Sequence, residues 1–339
     1  MASFVGVVET PAGLLGVGER VGTLKGSYTP LWTSADGHEW QELGAATLGS
    51  TGVVLSTHSL RGRLTTLTVS GDENVCPETH QTMCWLTRAP LRAWTSTDGT
   101  DWTLRAEPMN LIDDPENRRL FTPLSAATAG SIIATHRVRN DVRLVVSADG
   151  VTWQTTPPPD AFADGWVTGL VAVANRYVAI GGVGNPPTDA RFIVWSDSGL
   201  QWHAAAHPPP LEREQVIVAT AREGVILQAW PPGAMSPEWW SSPDGDSWTK
   251  IDDFGPLGLL DGDPLPTGSL VGDGDRMIAY EFDGSHAWSS FNGVDWTPLT
   301  IAGDLPPQGP VASALQVLPI GLVYRDGFGG AWFGDPSAD

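Results

Sequence analysis

A nine-residue segment recurs six times along the chain, and this repeat constrains the fold more than any other feature of the sequence. Each copy has the form W/V-x-S-x-D-G-x-x-W, with small departures. Its glycine stands at positions 37, 99, 150, 199, 245 and 293, so the copies are 62, 51, 49, 46 and 48 residues apart. Self-similarity at such a spacing is typical of an array of equal structural units. The copies are WTSADGHEW (32–40), WTSTDGTDW (94–102), VVSADGVTW (145–153), VWSDSGLQW (194–202), WSSPDGDSW (240–248) and WSSFNGVDW (288–296).

Each unit is predicted to contain four β-strands. Residues 167–205 show the pattern best, because VTGLVAVA, RYVAIGG, RFIVWS and QWHAAA are apolar or alternating runs separated by turn residues. Four antiparallel strands in a unit of about 48 residues correspond to one blade of a β-propeller. We therefore predict an all-β, single-domain propeller of seven four-stranded blades, with six blades as the alternative.

The predicted blades divide residues 1–339 at the repeat spacing. They cover approximately residues 2–45, 48–106, 121–156, 166–205, 214–252, 267–300 and 310–335. The seventh is incomplete, since VASALQVLP, GLVYRD and AWFGD supply three strands and no copy of the motif follows. Three alternatives stay open for it: a three-stranded blade, a strand missing from this chain, or an N-terminal strand that is shared differently.

The repeated motif is expected to form the tight turn between the third and fourth strands. Its acidic or amide side chain can accept backbone N–H bonds across the turn, and the next glycine can adopt a positive φ. The closing Trp is expected to pack between blades. Calcium is disfavoured, because each turn brings one carboxylate and calcium takes about six to eight oxygen ligands. The turn residues are Asp36, Asp98, Asp149, Asp244 and Asn292.

The motif resembles the Asp-box, or BNR repeat, of sialidases and related propellers, whose usual form is S-x-D-x-G-x-T-W. Here it reads S-x-D-G-x-x-W, one residue tighter between Asp and Gly. The resemblance implies a propeller whose function lies on the face opposite these turns, at the central channel. Sialidase activity is not expected, because the chain has no Arg-Ile-Pro segment and its Tyr177 and Tyr280 lie in apolar predicted strands.

Long, proline-rich loops are expected on that opposite face, and they supply the candidate site residues. A pair of their carboxylates could catalyse glycoside hydrolysis, although acidic loop residues are also common in solvated turns. The candidate catalytic carboxylates are Asp113, Asp114, Glu116, Asp164, Glu212 and Asp261. The candidate ligand-binding residues are Arg118, Arg119, Trp166, His207, Arg213, Trp230 and Trp239.

Charge and cysteine content bound the partners and the compartment. A net charge of −20 disfavours nucleic acid as a partner. The chain contains no apolar run of about 18 residues, so insertion into a membrane is not predicted. Cys76 and Cys84 are expected to form a disulfide in an oxidising compartment, or to be thiols in a reducing one. No cofactor and no metal are predicted. We expect a monomer that acts outside the cell or at its surface, with no signal or anchor in this chain.

The function predicted from these features is binding or scaffolding, with a glycan or a protein as the ligand. The alternative is a carbohydrate-active enzyme, either a glycoside hydrolase or a polysaccharide lyase, with a carboxylate-based site at the channel mouth. The two predictions differ in whether two carboxylates, or a His or Tyr with an Arg, converge at one place.

Overall fold

The computed structural model describes most of each predicted unit. The described residues are 4–18, 28–37, 39–44, 47–49, 52–70, 91–109, 124–138, 141–157, 159–162, 165–183, 191–210, 215–229, 238–252, 255–256, 268–272, 275–281, 286–299, 314–318, 321–325 and 331–334. Within these ranges the secondary structure is β-strand, apart from one short 3₁₀ helix at Asp160–Phe162. No helix in this part of the chain is long and apolar enough to cross a membrane.

The first three repeats each form a four-stranded antiparallel sheet in which consecutive strands pair. Blade 1 contains β1 (Phe4–Thr10), β2 (Gly13–Gly18), β3 (Leu31–Ser34) and β4 (Gln41–Leu43). Blade 2 contains β5 (Gly52–Leu60), β6 (Arg63–Ser70), β7 (Leu91–Ser96) and β8 (Thr103–Met109). Blade 3 contains β9 (Leu124–Ala127), β10 (Ile132–Val138), β11 (Asp141–Ser147) and β12 (Gln154–Thr156).

The remaining repeats continue the same topology. Blade 4 contains β13 (Gly165–Val173), β14 (Arg176–Val183), β15 (Arg191–Ser196) and β16 (His203–Ala204). Blade 5 contains β17 (Gln215–Ala221), β18 (Gly224–Ala229), β19 (Glu238–Ser242) and β20 (Thr249–Lys250). Blade 6 contains β21 (Gly268–Gly272), β22 (Met277–Glu281), β23 (Ala287–Ser290) and β24 (Thr297–Leu299). The last sheet contains β25 (Ala314–Leu318), β26 (Gly321–Arg325) and β27 (Ala331–Gly334).

The predicted all-β propeller of four-stranded antiparallel blades is confirmed. Six blades have all four strands, which is the number given as the alternative, and the three strands of the seventh unit pair as a separate sheet. The chain divides into two compact units. The N-terminal unit is Ala2–Trp166 with Ser198–Leu200, and the C-terminal unit is Val167–Asp197 with Gln201–Asp339.

The apolar core of each unit lies between successive blades. Val178 of blade 4 and Val225 of blade 5 belong to one buried cluster, and the closing Trp248 of blade 5 is part of it. The closing Trp102 packs in the same way against the cluster shared by blades 1 and 2. Within each unit, neighbouring blades therefore bury apolar faces against one another, as a single sheet could not do alone.

Glycine at the motif turn is required both by the backbone and by packing. The six motif glycines have φ between +72° and +86°, a region that L side chains rarely adopt. A Cβ on Gly245 would overlap the side chain of Val178 in the preceding blade, and a Cβ on Gly150 would overlap Thr65. The turn of one blade is thus seated against the second strand of the blade before it.

Replacing Gly245 by Ala is expected to lower the free energy of unfolding by about 2–4 kcal/mol, since the substitution adds backbone strain and overpacks Val178. Gly62→Ala is the matched control: its φ is +73°, but no heavy atom lies within 4 Å of the added Cβ. The control should cost only about 1 kcal/mol. Denaturant unfolding of both variants measures the difference, and equal losses would contradict seating of the motif turn against Val178.

Candidate binding cleft between blades 1 and 2

The motif turn of blade 2 shows how the repeated residues hold the backbone. Ser96 Oγ accepts the N–H of Gly99 at 2.9 Å and lies 2.9 Å from Asp98 Oδ1. Asp98 Oδ1 accepts the backbone N–H groups of the two residues after the glycine at 2.8 and 3.1 Å. The closing Trp102 donates its indole N–H to the Gly99 carbonyl at 3.0 Å. Ser96, Asp98 and Trp102 therefore all hold the turn in place.

Two blades depart from the motif at its acidic position, and their turns show which hydrogen bonds depend on that residue. Asn292 keeps the pattern, because its Oδ1 accepts two backbone N–H groups at 2.9 Å each. Blade 4 has Ser198 where the other blades have Asp or Asn, and there Ser196 Oγ donates instead to the carbonyl of Gln201. The turn thus needs a side-chain acceptor more than it needs a negative charge.

These turn bonds perturb two of the motif carboxylates. Backbone N–H bonds from Thr100 and Asp101 lower the pKa of Asp98, and the N–H of Thr152 is the main cause that lowers the pKa of Asp149. A hydrogen bond to a carboxylate stabilises its ionised form. Both side chains are therefore carboxylates throughout the neutral range, with no tendency to act as proton donors.

A cleft of about 450 Å³ opens at the motif ends of blades 1 and 2, within the N-terminal unit. Blade 1 contributes its first-to-second turn, its third strand and its motif turn, whereas blade 2 contributes the tip of its motif turn. The lining combines hydroxyl, amide, carboxylate and indole groups with the apolar side chains of Ala12, Leu14 and Ala35. The lining residues are Thr10, Ala12, Leu14, Thr33, Ser34, Ala35, Asp36, Glu39, Trp40, Gln41, Asp98 and Thr100.

The charged side chains among the described lining residues of this cleft are all acidic. Three of its lining residues, Asp36, Glu39 and Asp98, are acidic, and none of the described lining residues is Lys, Arg or His. Asp98 is ionised for the reason given above. A cleft of this composition favours a neutral or cationic ligand group over an anionic one.

A second polar cluster joins the first strands of blades 2 and 3, and sequence reasoning missed it. His58 Nε2 lies 2.9 Å from Ser125 Oγ, which lies 2.6 Å from Ser56 Oγ. Burial lowers the pKa of His58 to about 4, so its imidazole is neutral at pH 7. A base this weak suits a link between strands better than proton transfer, which works best with a pKa near the ambient pH. The only signal in the sequence was the i, i+2 spacing of Ser56 and His58.

The predicted loop site is largely untested. The candidates Asp113, Asp114, Glu116, Arg118, Arg119, Asp164, Glu212, Arg213, Trp230 and Asp261, together with Cys76 and Cys84, lie outside the described residues. Trp166 is the second residue of β13, but its side chain is outside the described part of the structure. Where the structure does describe His, Cys, Asp and Glu, no group of three or more could hold a metal ion.

Two predicted ligand-binding residues have other positions. His207 was expected in an opposite-face loop, but its carbonyl accepts the N–H of Trp248 at 3.2 Å, beside the motif turn of blade 5. A parallel bridge also pairs His207 with Ser247, so this residue lies beside that turn and not in an opposite-face loop. Trp239 was expected to flank a surface loop, but its ring is 1% exposed and belongs to the core between blades 5 and 6.

Comparison with known proteins identifies the fold. No protein-family model and no curated protein sequence matches the chain. The solved polysaccharide lyase Uly1 is 12% identical, with a TM-score of 0.53 over 95% of this chain and 86% of that chain. YCF48 from Cyanidioschyzon merolae is 13% identical, with a TM-score of 0.50 over 99% and 96%. The Hadza microbial sialidase Hz136 is 16% identical, with a TM-score of 0.42 over 83% and 63%. At these identities the likeness concerns the β-propeller fold alone.

Asp98→Ala is expected to lower the free energy of unfolding by about 1–2 kcal/mol at pH 7, because two turn N–H groups lose their acceptor. Asp98→Asn should cost less, since Asn292 accepts the same two bonds in blade 6. The stability lost through Asp98→Ala should be smaller at pH 3 than at pH 7. The pKa of Asp98 is lower in the folded chain than the ordinary value of 3.8, so below pH 3.8 the unfolded chain binds a proton first and the stabilisation by this carboxylate declines. Denaturant unfolding at pH 7 and pH 3 measures both effects. Equal losses for Asn and Ala would contradict the acceptor role.

His58 is expected to make stability depend on pH between its ordinary pKa of 6.5 and its folded pKa of about 4. In that window the unfolded chain binds a proton that the folded chain does not, so stability is complete above pH 6.5 and falls as the pH is lowered. His58→Gln should remove about 1–2 kcal/mol of this decline, and His207→Gln, whose side chain is exposed, should not. Unfolding curves from pH 7.5 to 4.5 provide the test. Parallel declines for wild type and His58→Gln would refute it.

Proposed function

We propose that this chain is a binding or scaffolding propeller that recognises a glycan or a protein without transforming it, and that it acts outside the cell or at its surface. The observation that carries the proposal is the cleft at the motif ends of blades 1 and 2, which lies beside the motif turns and not at the opposite ends of the blades, where the sequence predicted the site. Its hydroxyls of Thr10 and Thr33 and its amide of Gln41 are recognition groups, and the ring of Trp40 adds an aromatic surface, since the indole N–H is bonded to the Gly37 carbonyl. Convergent polar groups beside an aromatic ring are typical of sites that orient a polar ligand.

The ionisation of Asp98 supports binding over catalysis by this carboxyl. A glycoside hydrolase needs one carboxyl group whose pKa is raised, so that it can protonate the leaving oxygen. Asp98, the cleft carboxyl with a displaced pKa, is shifted in the opposite direction by its turn bonds. It can attract or hydrogen-bond a ligand at neutral pH, but it cannot donate a proton there.

A carbohydrate-active enzyme is the second candidate. Uly1, which has the same fold at 12% identity, is a polysaccharide lyase. This candidate would rest on the loop carboxylates such as Asp113, Asp164 and Glu212, and it requires two of them to converge on one substrate. A propeller scaffold supports both catalytic and non-catalytic functions, so fold likeness alone does not choose between them.

The proposal is tested by incubating the protein with a panel of neutral, anionic and amino-sugar oligosaccharides and following each by mass spectrometry. Binding predicts that one or more members are retained on immobilised protein with no change in mass. A smaller or unsaturated product from any member would make the chain an enzyme and overturn the proposal. No retention and no product would exclude the panel glycans and leave the protein ligand.

A matched pair of variants places a retained glycan in the cleft. Gln41 follows the closing Trp of blade 1 and lines the cleft, and Gln154 follows the closing Trp of blade 3 and is exposed. Gln41→Ala should weaken binding about fivefold to tenfold through the lost hydrogen bond, whereas Gln154→Ala should leave it unchanged. If the two variants behaved alike, the ligand would lie elsewhere on the molecule.

A further inference from the structure

The junction between blades 4 and 5 is filled at the place where the junction between blades 1 and 2 is open. Aligning the repeats on their glycines and strand registers matches Trp195 with Thr33 and Arg176 with Gly13. The same alignment matches Asp244, in the motif turn of blade 5, with Asp98 in that of blade 2. The filled junction therefore serves as an internal reference for the open one.

A guanidinium group occupies the filled junction. The guanidinium carbon of Arg176 lies 4.2 Å from the centroid of the Trp195 ring. Its Nη1 donates to Asp244 Oδ2 at 3.0 Å, and its Nε donates to Asp197 Oδ1 at 2.8 Å. Trp195 is held in turn by a bond from its indole N–H to Asp246 Oδ1 at 3.0 Å. The motif carboxylate of one blade thus binds an arginine from the blade before it.

Arginine recurs at this corner in other blades. Arg63, the first residue of β6, reaches the carbonyl of Asp149 in the motif turn of blade 3 at 3.5 Å. Arg222 lies just before β18, and its guanidinium carbon is 4.8 Å from the ring of Phe291 in the motif turn of blade 6. In three separate junctions, then, the chain places its own guanidinium against the next motif turn.

Blade 1 cannot supply such a side chain. Gly13 has a φ of +130°, and a Cβ on it would overlap the carbonyl of Ser34 and the backbone of Ala35. Blade 5 also has a glycine at this place, Gly224, but there Arg222 stands two residues earlier and supplies the guanidinium. Blade 1 has Pro11 at the position of Arg222, and its Ala12 is too short to reach across the cleft. The cleft consequently keeps the acidic side chains of Asp98 and Glu39, with no basic residue among the described residues that line it.

We propose that this cleft binds the guanidinium group of an arginine side chain on a partner polypeptide, which takes the position that Arg176 has at the junction of blades 4 and 5. This inference deepens the proposed function by naming the ligand group of the same cleft. Arginine fits better than lysine, because its planar fork can bond a carboxylate and stack on a ring at once. Trp40 supplies a ring in the lining, and about 450 Å³ accommodates the side chain with adjoining backbone.

The experiment compares three probes on the whole chain by isothermal titration and saturation-transfer NMR. The first is the capped pentapeptide acetyl-Gly-Gly-Arg-Gly-Gly-amide, and the second is the same peptide with citrulline, which is nearly isosteric but neutral. The third is the disaccharide of glucosamine, which offers ammonium groups on a glycan. The arginine peptide should bind at least about tenfold more tightly than the citrulline peptide, and its binding should weaken as salt is added.

Two variants locate the interaction. Asp98→Asn keeps the turn acceptor and removes the charge, so it should fold and lower the affinity for the arginine peptide about tenfold. Asp149→Asn is the matched control, because it makes the same change at the turn that Arg63 already contacts. Binding to this control should stay within about twofold of wild type. Thermal unfolding of both variants confirms that they are folded under the assay conditions.

Each remaining outcome overturns the inference. Equal binding of the arginine and citrulline peptides, or equal effects of the two variants, would exclude guanidinium recognition by Asp98. Binding of the glucosamine disaccharide in preference to the arginine peptide would assign the cleft to an amino sugar. Retention of a neutral glycan on wild-type protein with no arginine binding would refute this inference while leaving the proposed binding function intact.

Discussion

The close approach of a motif turn to the preceding blade, as at Gly150, Gly245 and Gly293, is the constraint on which the rest of the structure depends. At Gly150 and Gly245 the backbone comes so near to Thr65 and Val178 that no Cβ fits between them. The left-handed φ that glycine allows also points the next two N–H groups at the acidic or amide side chain before it. One residue therefore fixes the hairpin within its blade and the spacing between blades, and this explains why the repeat retains it in every copy.

Because the repeat holds the backbone in place, the neighbouring positions can differ from blade to blade. The residue that starts the second strand is Gly13 in blade 1, Arg63 in blade 2 and Arg176 in blade 4. The residue before the motif serine is Thr33 in blade 1 and Trp195 in blade 4. These differences do not disturb the turn, but they decide whether a junction is filled or open. The described blades therefore differ from one another mainly in the side chains at the junctions between blades.

The sequence predicted the features that repeat and failed where a residue has no counterpart. The spacing of the repeats, the chemistry of the turns and the order of the strands follow from local rules. The strands of one repeat therefore predicted those of the others. Trp239 was misplaced because Trp239 and Trp240 are adjacent in β19 and face opposite sides, and no local pattern says which side is deeper. The link between His58 and Ser125 joins residues 67 positions apart, so only the packing of blade on blade reveals it. The sequence did not predict the cleft for the same reason, because its lining comes from two blades and no local pattern brings Ala12 close to Asp98.

Charge distribution connects the repeat to its ligand. A chain with 39 acidic and 19 basic residues repels polyanions overall, and the motif adds a carboxylate or amide at nearly every junction. At the described junctions of blades 2, 4 and 5 an arginine from one blade lies against the motif turn of the next, and the attraction spans two blades. Burying part of such a pair is favourable only when the guanidinium is well bonded, as Arg176 is by two carboxylates and an aromatic face. The junction of blades 1 and 2 keeps one carboxylate of that arrangement, Asp98, and at Gly13 it has a backbone that excludes the cation. The repeat that brings an arginine to the junctions after blades 2, 4 and 5 thus leaves the described part of this junction open to the partner arginine proposed above.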